Sequence, residues 1–312
     1  MTRLGGNTMR RITILGLAAC FASLSGTAMA GFLDQLGKDV LKQLGGGNSS
    51  QQQKKPSDTE LIISGVADVL AGASEVPYET EVVVGESLAL EGFKRYGLPV
   101  KDEALQHYVN LVGNAVARNS PRPDIPYRFV VVDSPVYNAF ACPGGVIFVS
   151  DELVRAMNDE SELACVLAHE VGHVAHKHAL KSIRRAQFLS GVGKLTAAGM
   201  KGSQGQQFQN MIGDLQNVLF DKGLDKNMEF EADLAGMETA YRTGYDPRGM
   251  VRVLEMLQQK EAGAEKKGSW FSTHPPVDKR LETTRGKLAG YPDAATLAQQ
   301  PGRFLPYRQK LL

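Results

Sequence analysis

The stretch of residues 162–178, ELACVLAHEVGHVAHKH, constrains this chain more than any other. Its apolar residues recur at helical spacing, which predicts a helix with a buried face. His169 and His173 are four residues apart, so on that helix both imidazoles lie on one side, one turn apart. Two imidazoles held in this way can bind one Zn²⁺, and Glu170 lies beside them, placed to take a proton from water. The stretch therefore predicts a hydrolytic metal site on a rigid helix.

A second segment, residues 227–236 (NMEFEADLAG), offers the carboxylate that completes such a site. On a helix Glu229 and Asp233 share a face, and Gly236 follows one turn later, where another backbone could approach closely. Glu229 is the expected third ligand, which leaves a fourth position for water. Asp233 is expected to accept the outer N–H of a ligating histidine. Glu231 points elsewhere and is expected to be solvated.

Four ordered motifs carry a family resemblance. HEVGH at residues 169–173 and EFEAD at 229–233 resemble the HtpX and CAAX-prenyl-protease family of zinc metalloendopeptidases, which are gluzincins. Residues 138–149 (NAFACPGGVIFV) resemble the strand motif of that family, and residues 274–280 (HPPVDKR) resemble its late His-Pro motif. The likeness extends over about residues 79–288 and is greatest to soluble periplasmic members of the BepA and LoiP type.

The resemblance implies an α+β fold, mostly helical and zincin-like, with a small β-sheet beside the HExxH helix. It implies one Zn²⁺ per chain, held by His169, His173 and Glu229. Glu170 would take the water proton and pass it to the leaving amine. His274 and Arg280 match family positions near the metal, which makes them the candidates for stabilising the oxyanion. For His274 the other interpretations are a fourth ligand that keeps the enzyme latent and a residue at the surface or at a helix end.

Residues of the strand motif are the expected substrate contacts, because an edge strand can pair with an extended peptide backbone. They are Asn138, Ala139, Phe140, Gly144 and Gly145. Asn138 could equally be a turn-forming residue. The implied substrates are polypeptides, among them unfolded or misassembled envelope proteins.

The amino terminus predicts export. Arg10 and Arg11 precede an apolar run at residues 12–24, and Ala28-Met-Ala30 offers a cleavage site before Gly31. The alternative is a lipoprotein anchored through Cys20, since LAAC resembles a lipobox. Either processing event places the protein outside the cytoplasm, and the periplasm is the expected compartment.

The predicted organisation is a signal peptide at residues 1–30, an amphipathic segment and flexible linker at 31–57, a metalloprotease domain at 58–290 and a tail at 291–312. The amphipathic segment could touch a membrane surface. The expected elements are helices at 59–70, 79–96 and 101–119, strands at 127–132 and 146–149, a short helix capped by Ser150 or Asp151, a metal helix opened by Asp159, two helices within 179–226, the Glu229 helix, a helix from 245 to 259, a loop at 262–272 and a closing helix at 277–288.

Composition limits the alternatives. The net charge is +1, which gives no electrostatic reason for a nucleic-acid partner. Cys142 and Cys165 could pair in an oxidising compartment, but two cysteines do not make a disulfide framework. A chaperone-like protein of the same fold with little turnover stays open as a function. An aminopeptidase would need an acidic anchor for the substrate amine, and no such residue lies near the motifs.

Overall fold

The computed structural model describes residues 76–182, 185, 212–213, 216–261, 270–274 and 277–311. The predicted signal peptide, the amphipathic segment and linker, the helix at 59–70, residues 262–269 of the predicted 262–272 loop and most of 179–215 lie outside these residues. The helices are α1 Tyr78–Tyr96, α2 Glu103–Ala117, α3 Asp151–Ala156, α4 Glu160–Ala175, α5 Lys226–Thr243, α6 Arg248–Glu261, α7 Trp270–Thr273, α8 Val277–Lys287 and α9 Pro301–Gln309. None of the helices in these residues has the length and hydropathy needed to cross a bilayer.

The predicted α+β class, mostly helical with a small sheet, is confirmed. The sheet contains β1 Arg128–Val132, β2 Ala139–Ala141 and β3 Val146–Ser150 in the order β1–β3–β2. β1 pairs in parallel with β3, and β2 pairs antiparallel with it, with Phe140 opposite Phe148. The sequence predicted β1 and β3 but not β2, because three residues before a Pro-Gly-Gly turn give too little alternation to mark a strand.

Local signals fix the ends of several helices. Gly97, with φ of 108°, ends α1, as its position after Tyr96 predicts. The Asp102 carboxylate accepts a hydrogen bond from the Leu105 amide at the start of α2. Ser150, rather than Asp151, caps α3 by accepting from the Leu153 amide. Asp159 caps α4 by accepting from the Glu162 amide at 3.0 Å, as predicted.

α4 is the central element of the core. All of its residues except the last, Ala175, are buried, so the amphipathic helix expected from the sequence is covered on every side. α2, α5 and α6 pack against it, together with the sheet. Gly249 permits one close approach, because a Cβ there would lie 2.7 Å from the Ser161 carbonyl oxygen. A helix with this burial provides a fixed platform for the side chains that it carries.

The segment predicted as a C-terminal tail is packed on the domain. Tyr291, Ala294 and Phe304 belong to the hydrophobic core, and Phe304 of α9 is completely buried. The Arg303 guanidinium, also on α9, forms an ion pair with the Glu160 carboxylate in the first turn of α4. The sequence missed this packing because prolines at 292, 301 and 306 interrupt the segment, so its apolar residues show no sustained helical period.

Candidate metal centre and active site

Two imidazoles and one carboxylate converge where α4 crosses α5. Nε2 of His169 and Nε2 of His173 are 2.9 Å apart. The Glu229 oxygens lie 3.7 Å from His169 Nε2 and 3.5 Å from His173 Nε2. All three side chains are buried. We call His169, His173 and Glu229 the inner set.

The donor atoms of the inner set fit a transition-metal ion. Ligand atoms about 2.0–2.2 Å from a tetrahedral zinc are separated by about 3.3 Å, close to the spacings observed here. Burial lowers the pKa of His173 well below its usual value, so this imidazole is neutral, the form that binds metal. The sequence predicted these three residues as ligands, and the structure brings their donor atoms together.

A close helix–helix approach aligns the inner set. A Cβ on Gly236 would lie 2.9 Å from the His169 amide nitrogen and 3.1 Å from its Cα. Only a glycine therefore lets α5 approach α4 closely enough for Glu229 to meet His169 and His173. The sequence had marked Gly236 as a point of close backbone approach.

Glu170 is buried beside the inner set. Neither carboxylate oxygen makes a hydrogen bond within the described part of the chain, and Oε1 lies 3.8 Å from Nε2 of His274. Burial raises the pKa of Glu170. An unpartnered buried carboxylate costs free energy, so its position indicates a group kept available for chemistry.

Asp233 and Arg280 form a second layer behind the metal ligands. Asp233 Oδ1 is 2.9 Å from Nδ1 of His169, on the side opposite the inner set. Arg280 donates from Nε and Nη2 to the two oxygens of Asp233, each at 2.7 Å, and its Nη1 lies 3.2 Å from Glu229. Burial would raise the pKa of Asp233, but the Arg280 guanidinium outweighs it and holds that pKa at about 2. The carboxylate therefore stays ionised and orients both His169 and Arg280.

His274 connects the inner set to the sheet edge. Nδ1 is 2.9 Å from Glu229 Oε2, and Nε2 is 3.0 Å from the Ala139 carbonyl oxygen on β2. The ring stacks on Trp270 at 4.2 Å between centroids. Burial favours the neutral ring, but Glu229 outweighs it and the pKa of His274 is raised. Residues 270–272, predicted as the end of a loop, instead belong to the short helix α7, and no motif had marked Trp270 as part of the site.

Two histidines that follow α4 and one carboxylate of α5 form what we call the outer set: His176, His178 and Glu231. Glu231 Oε1 is 2.8 Å from His176 Nδ1, and Oε2 is 3.1 Å from His178 Nε2. Glu231 is about half exposed, yet it is paired rather than simply solvated as predicted. The sequence missed this set, although the H-x-H spacing of 176 and 178 was a visible signal.

The inner and outer sets meet through two imidazoles. Nδ1 of His178 lies 2.8 Å from Nδ1 of His173, on the side of His173 that faces away from the inner set. Burial lowers the pKa of His178 to about 4, so this ring is neutral at neutral pH. A chain of contacts therefore runs from the inner set through His173 and His178 to Glu231.

A cavity opens beside Glu170 and His274. Its wall is largely apolar and comes from the strand motif, the end of α4 and the segment before α5; among its members are Phe140, Ala141, Cys142, Pro143, Val174, Leu180, Leu219 and Leu224. Among the predicted substrate contacts, Phe140 lines the cavity. Ala139 is engaged through its carbonyl oxygen by His274.

The other predicted contacts have different surroundings. Asn138 is buried, and its side-chain oxygen is 3.4 Å from the Thr273 hydroxyl. Gly144 and Gly145 adopt φ of 80° and 102° in the turn before β3. A Cβ on Gly144 would lie 2.8 Å from Val82 Cα of α1, so this turn packs on α1. The substrate contacts predicted for these three residues stay predictions.

The two cysteines of the described residues are free and buried. Burial raises the pKa of both thiols, which keeps them protonated. Cys165 Sγ is 3.8 Å from the Asp246 carbonyl oxygen, so it packs on the far side of α4 rather than joining the inner set. Both residues serve as small core side chains.

A model of peptidase family M48 matches residues 103–287, more than half of the 312-residue chain. The chain is 31% identical over 221 residues to the beta-barrel assembly-enhancing protease of Yersinia pestis, covering 67% of this chain and 44% of that protein. The protein of the same name from Escherichia coli (strain K12) is 28% identical over 200 residues, covering 60% and 40%. The mitochondrial metalloendopeptidase OMA1 of Schizosaccharomyces pombe is 29% identical over 178 residues, covering 56% and 50%.

The chain spans half or less of the length of these relatives. The stretch matched by the family model includes α4, α5 and the residues around His274 and Arg280, so the described site lies inside it. The family resemblance inferred from the four motifs is confirmed. The chain belongs to peptidase family M48.

Proposed function

We propose that this chain is a zinc-dependent endopeptidase that cleaves polypeptides. One observation carries the proposal: the buried inner set of two imidazoles and a carboxylate lies beside Glu170, whose oxygens have no hydrogen-bond partner in the described residues. Nitrogen and oxygen donors at these spacings suit zinc, and a set of three protein ligands leaves the fourth position open for water. We assign His169, His173 and Glu229 as the ligands of one Zn²⁺.

A zinc ion on these ligands would acidify water and polarise the scissile carbonyl. Glu170 accepts the proton of the attacking water and then delivers it to the amine nitrogen as the C–N bond breaks. Neither of its oxygens has a hydrogen-bond partner among the described residues, so no hydrogen bond to them must break before Glu170 takes the proton. Fixed burial on α4 holds the carboxylate in one place through both proton transfers.

His274 is the proposed electrophilic helper. Its Nε2 lies 3.8 Å from Glu170 and 3.0 Å from the Ala139 carbonyl oxygen, so this nitrogen can donate a hydrogen bond to the oxyanion in place of that carbonyl. Arg280 receives a different assignment from the one the sequence suggested. Its guanidinium is completely buried and engaged by Asp233, Glu229 and the His274 carbonyl oxygen, so we assign it to positioning the ligands and His274.

The substrate is proposed to bind as an extended chain along β2. This short strand pairs with β3 on one side, and its Ala139 carbonyl oxygen lies against His274. A side chain next to the cleaved bond would enter the apolar cavity bordered by Phe140 and Leu180. Pairing through the backbone favours unfolded segments over folded proteins, because only an unpaired chain can add to a sheet edge.

We further propose that the substrates are unfolded or misassembled envelope proteins. Support comes from the predicted signal at residues 1–30 and from the names of two relatives, which are beta-barrel assembly-enhancing proteases. Export with cleavage after Ala30 predicts a mature protein that starts at Gly31. Mass spectrometry of the mature protein checks this, since an acylated Cys20 would instead make it a membrane-anchored lipoprotein.

The decisive experiment measures casein cleavage by the zinc-loaded full chain, with and without a chelator. We expect the chelator to abolish cleavage and zinc to restore it. Glu170→Gln should keep its zinc and its circular dichroism spectrum while losing cleavage by roughly 10²–10⁴-fold. The matched control, Glu282→Gln on the exposed face of α8, should cleave like the wild type. Cleavage by Glu170→Gln at the wild-type rate would remove Glu170 from the mechanism.

A further inference from the structure

The outer set has the geometry of a metal site. Its two nitrogen–oxygen distances, 2.8 Å for His176 and 3.1 Å for His178, need to expand by only a few tenths of an ångström to reach the spacing of about 3.3 Å around a tetrahedral zinc. The donor atoms of all three residues lie within 4.8 Å of one another. His176 and Glu231 are partly exposed, so an ion can enter from solvent.

The backbone at Lys177 creates this arrangement. In a continuous helix, residues 176 and 178 would point to nearly opposite sides. Lys177 instead has φ of 55°, a left-handed conformation that is uncommon for a non-glycine residue and costs free energy. With this turn the two imidazoles stack, 5.5 Å between centroids, and both face Glu231. Lys177 itself pairs with Glu81 at 2.7 Å, which helps to hold the turn.

We propose that His176, His178 and Glu231 form a second site for a divalent transition-metal ion such as Zn²⁺, weaker than the inner site and antagonistic to it. Two imidazoles and a carboxylate are donors that zinc accepts. The site is weaker because it is more exposed and because the Lys181 ammonium places a positive charge near both His178 and Glu231.

The antagonism follows from which ring nitrogens of His173 and His178 carry protons. Once Nε2 of His173 holds the inner ion, the proton of this neutral ring is on Nδ1, which then donates to Nδ1 of His178. His178 must therefore carry its own proton on Nε2 and donate it to Glu231. An ion on Nε2 of His178 would move that proton to Nδ1, so two N–H groups would face each other at 2.8 Å. The two sites cannot both be filled without turning a ring, and each ion weakens the binding of the other.

The experiment counts zinc in the full, tag-free chain by elemental analysis after equilibrium dialysis at rising free zinc. Wild type should bind a first, tight equivalent and then a second, weaker one. His176→Ala should lose the second equivalent only, because His176 does not contact the inner set. His107→Ala, which removes an exposed histidine of α2, is the control and should bind as wild type does. A wild type that binds no second equivalent up to millimolar zinc, or a second equivalent that survives in His176→Ala, would refute the outer site.

Glu229→Ala tests the antagonism and separates it from the proposed function. Loss of Glu229 disables the inner set, so His173 and His178 can both adopt the protonation pattern that the outer ion needs. We expect the outer ion to bind at least about fivefold more tightly to Glu229→Ala than to the zinc-loaded wild type. Equal affinities would refute the coupling. Zinc binding at the outer set is measured without any substrate, so a failure of this proposal can be distinguished from a failure of the proposed peptidase activity.

Discussion

Both ends of α4 bury a glutamate, but the two carboxylates have opposite surroundings. At the amino-terminal end Glu160 accepts hydrogen bonds from Tyr108 and Tyr245, each at 2.6 Å, and pairs with Arg303. Toward the other end Glu170 has no hydrogen-bond partner in the described residues. Burial alone would raise both pKa values; Arg303 and the two tyrosines reverse this for Glu160, whose pKa is lowered, while that of Glu170 stays raised.

The comparison distinguishes a buried carboxylate that stabilises the fold, Glu160, from one that is available for catalysis, Glu170. Glu160 lies in the first turn of the helix, where the helix dipole also favours a negative charge. Its partners come from α2, from the turn before α6 and from α9, so it ties three distant segments to α4. Glu170 makes no comparable hydrogen bonds in the described residues. The packing of the surrounding core offsets the free-energy cost of burying its carboxylate.

The largest effect is expected from substitutions in the inner set, where α4 crosses α5. His169→Ala, His173→Ala and Glu229→Ala should each reduce the tightly bound zinc from about one equivalent to a small residue, because a site with two ligands binds zinc weakly. Glu231→Ala, on the same helix as Glu229, should keep this equivalent. Elemental analysis after gel filtration compares the four proteins. If Glu231→Ala loses as much zinc as Glu229→Ala, the assigned carboxylate is wrong.

The same substitution at each end of α4 should have unequal effects on stability. Glu160→Gln removes the charge that Arg303 and two tyrosines recognise, so we expect it to lower the free energy of unfolding by about 2 kcal/mol. Glu170→Gln removes a buried charge without a hydrogen-bond partner in the described residues, so it should leave that free energy unchanged or raise it. Urea unfolding of the metal-free proteins measures both. Comparable losses in the two variants would mean that Glu170 is also stabilised by its surroundings.

His274→Ala tests whether the imidazole 3.8 Å from Glu170 assists cleavage or blocks the site. If the imidazole donates to the oxyanion, the variant should cleave casein at least about tenfold more slowly, or about 1.4 kcal/mol in the barrier. If His274 instead fills a fourth ligand position in a latent enzyme, basal cleavage should rise. Rates are compared at matched zinc occupancy, because His274 also contacts Glu229.

The smallest effect is expected from two glycines on the α4–α5 contact. Gly236→Ala places a Cβ 2.9 Å from the His169 amide nitrogen, so the helices must separate and we expect a loss of about 1 kcal/mol in stability together with weaker zinc binding. Gly172→Ala places its Cβ 3.5 Å from Ala232, an ordinary contact, and should be neutral or slightly stabilising because alanine favours helices. Thermal unfolding and a chelator competition measure the pair.

Local sequence determined much of this protein. The spacing of His169 and His173, the E-x-x-x-D spacing of Glu229 and Asp233, and the caps at Asp102 and Asp159 each depend on residues within one or two helical turns. Such features can be read without knowing where the rest of the chain goes. The two principal strands and most helix ends followed from the same kind of signal.

Tertiary structure decided what those residues meet. His274 reaches the Ala139 carbonyl oxygen 135 positions away, and Arg303 reaches Glu160 across 143 positions. The guanidinium of Arg280, a predicted oxyanion contact, donates to Asp233 across 47 positions. These contacts depend on how separate helices cross, and no periodic pattern within one segment specifies a crossing. Residue spacing thus determined which donors could share a helix face, whereas packing decided which buried charge was neutralised and which was left available.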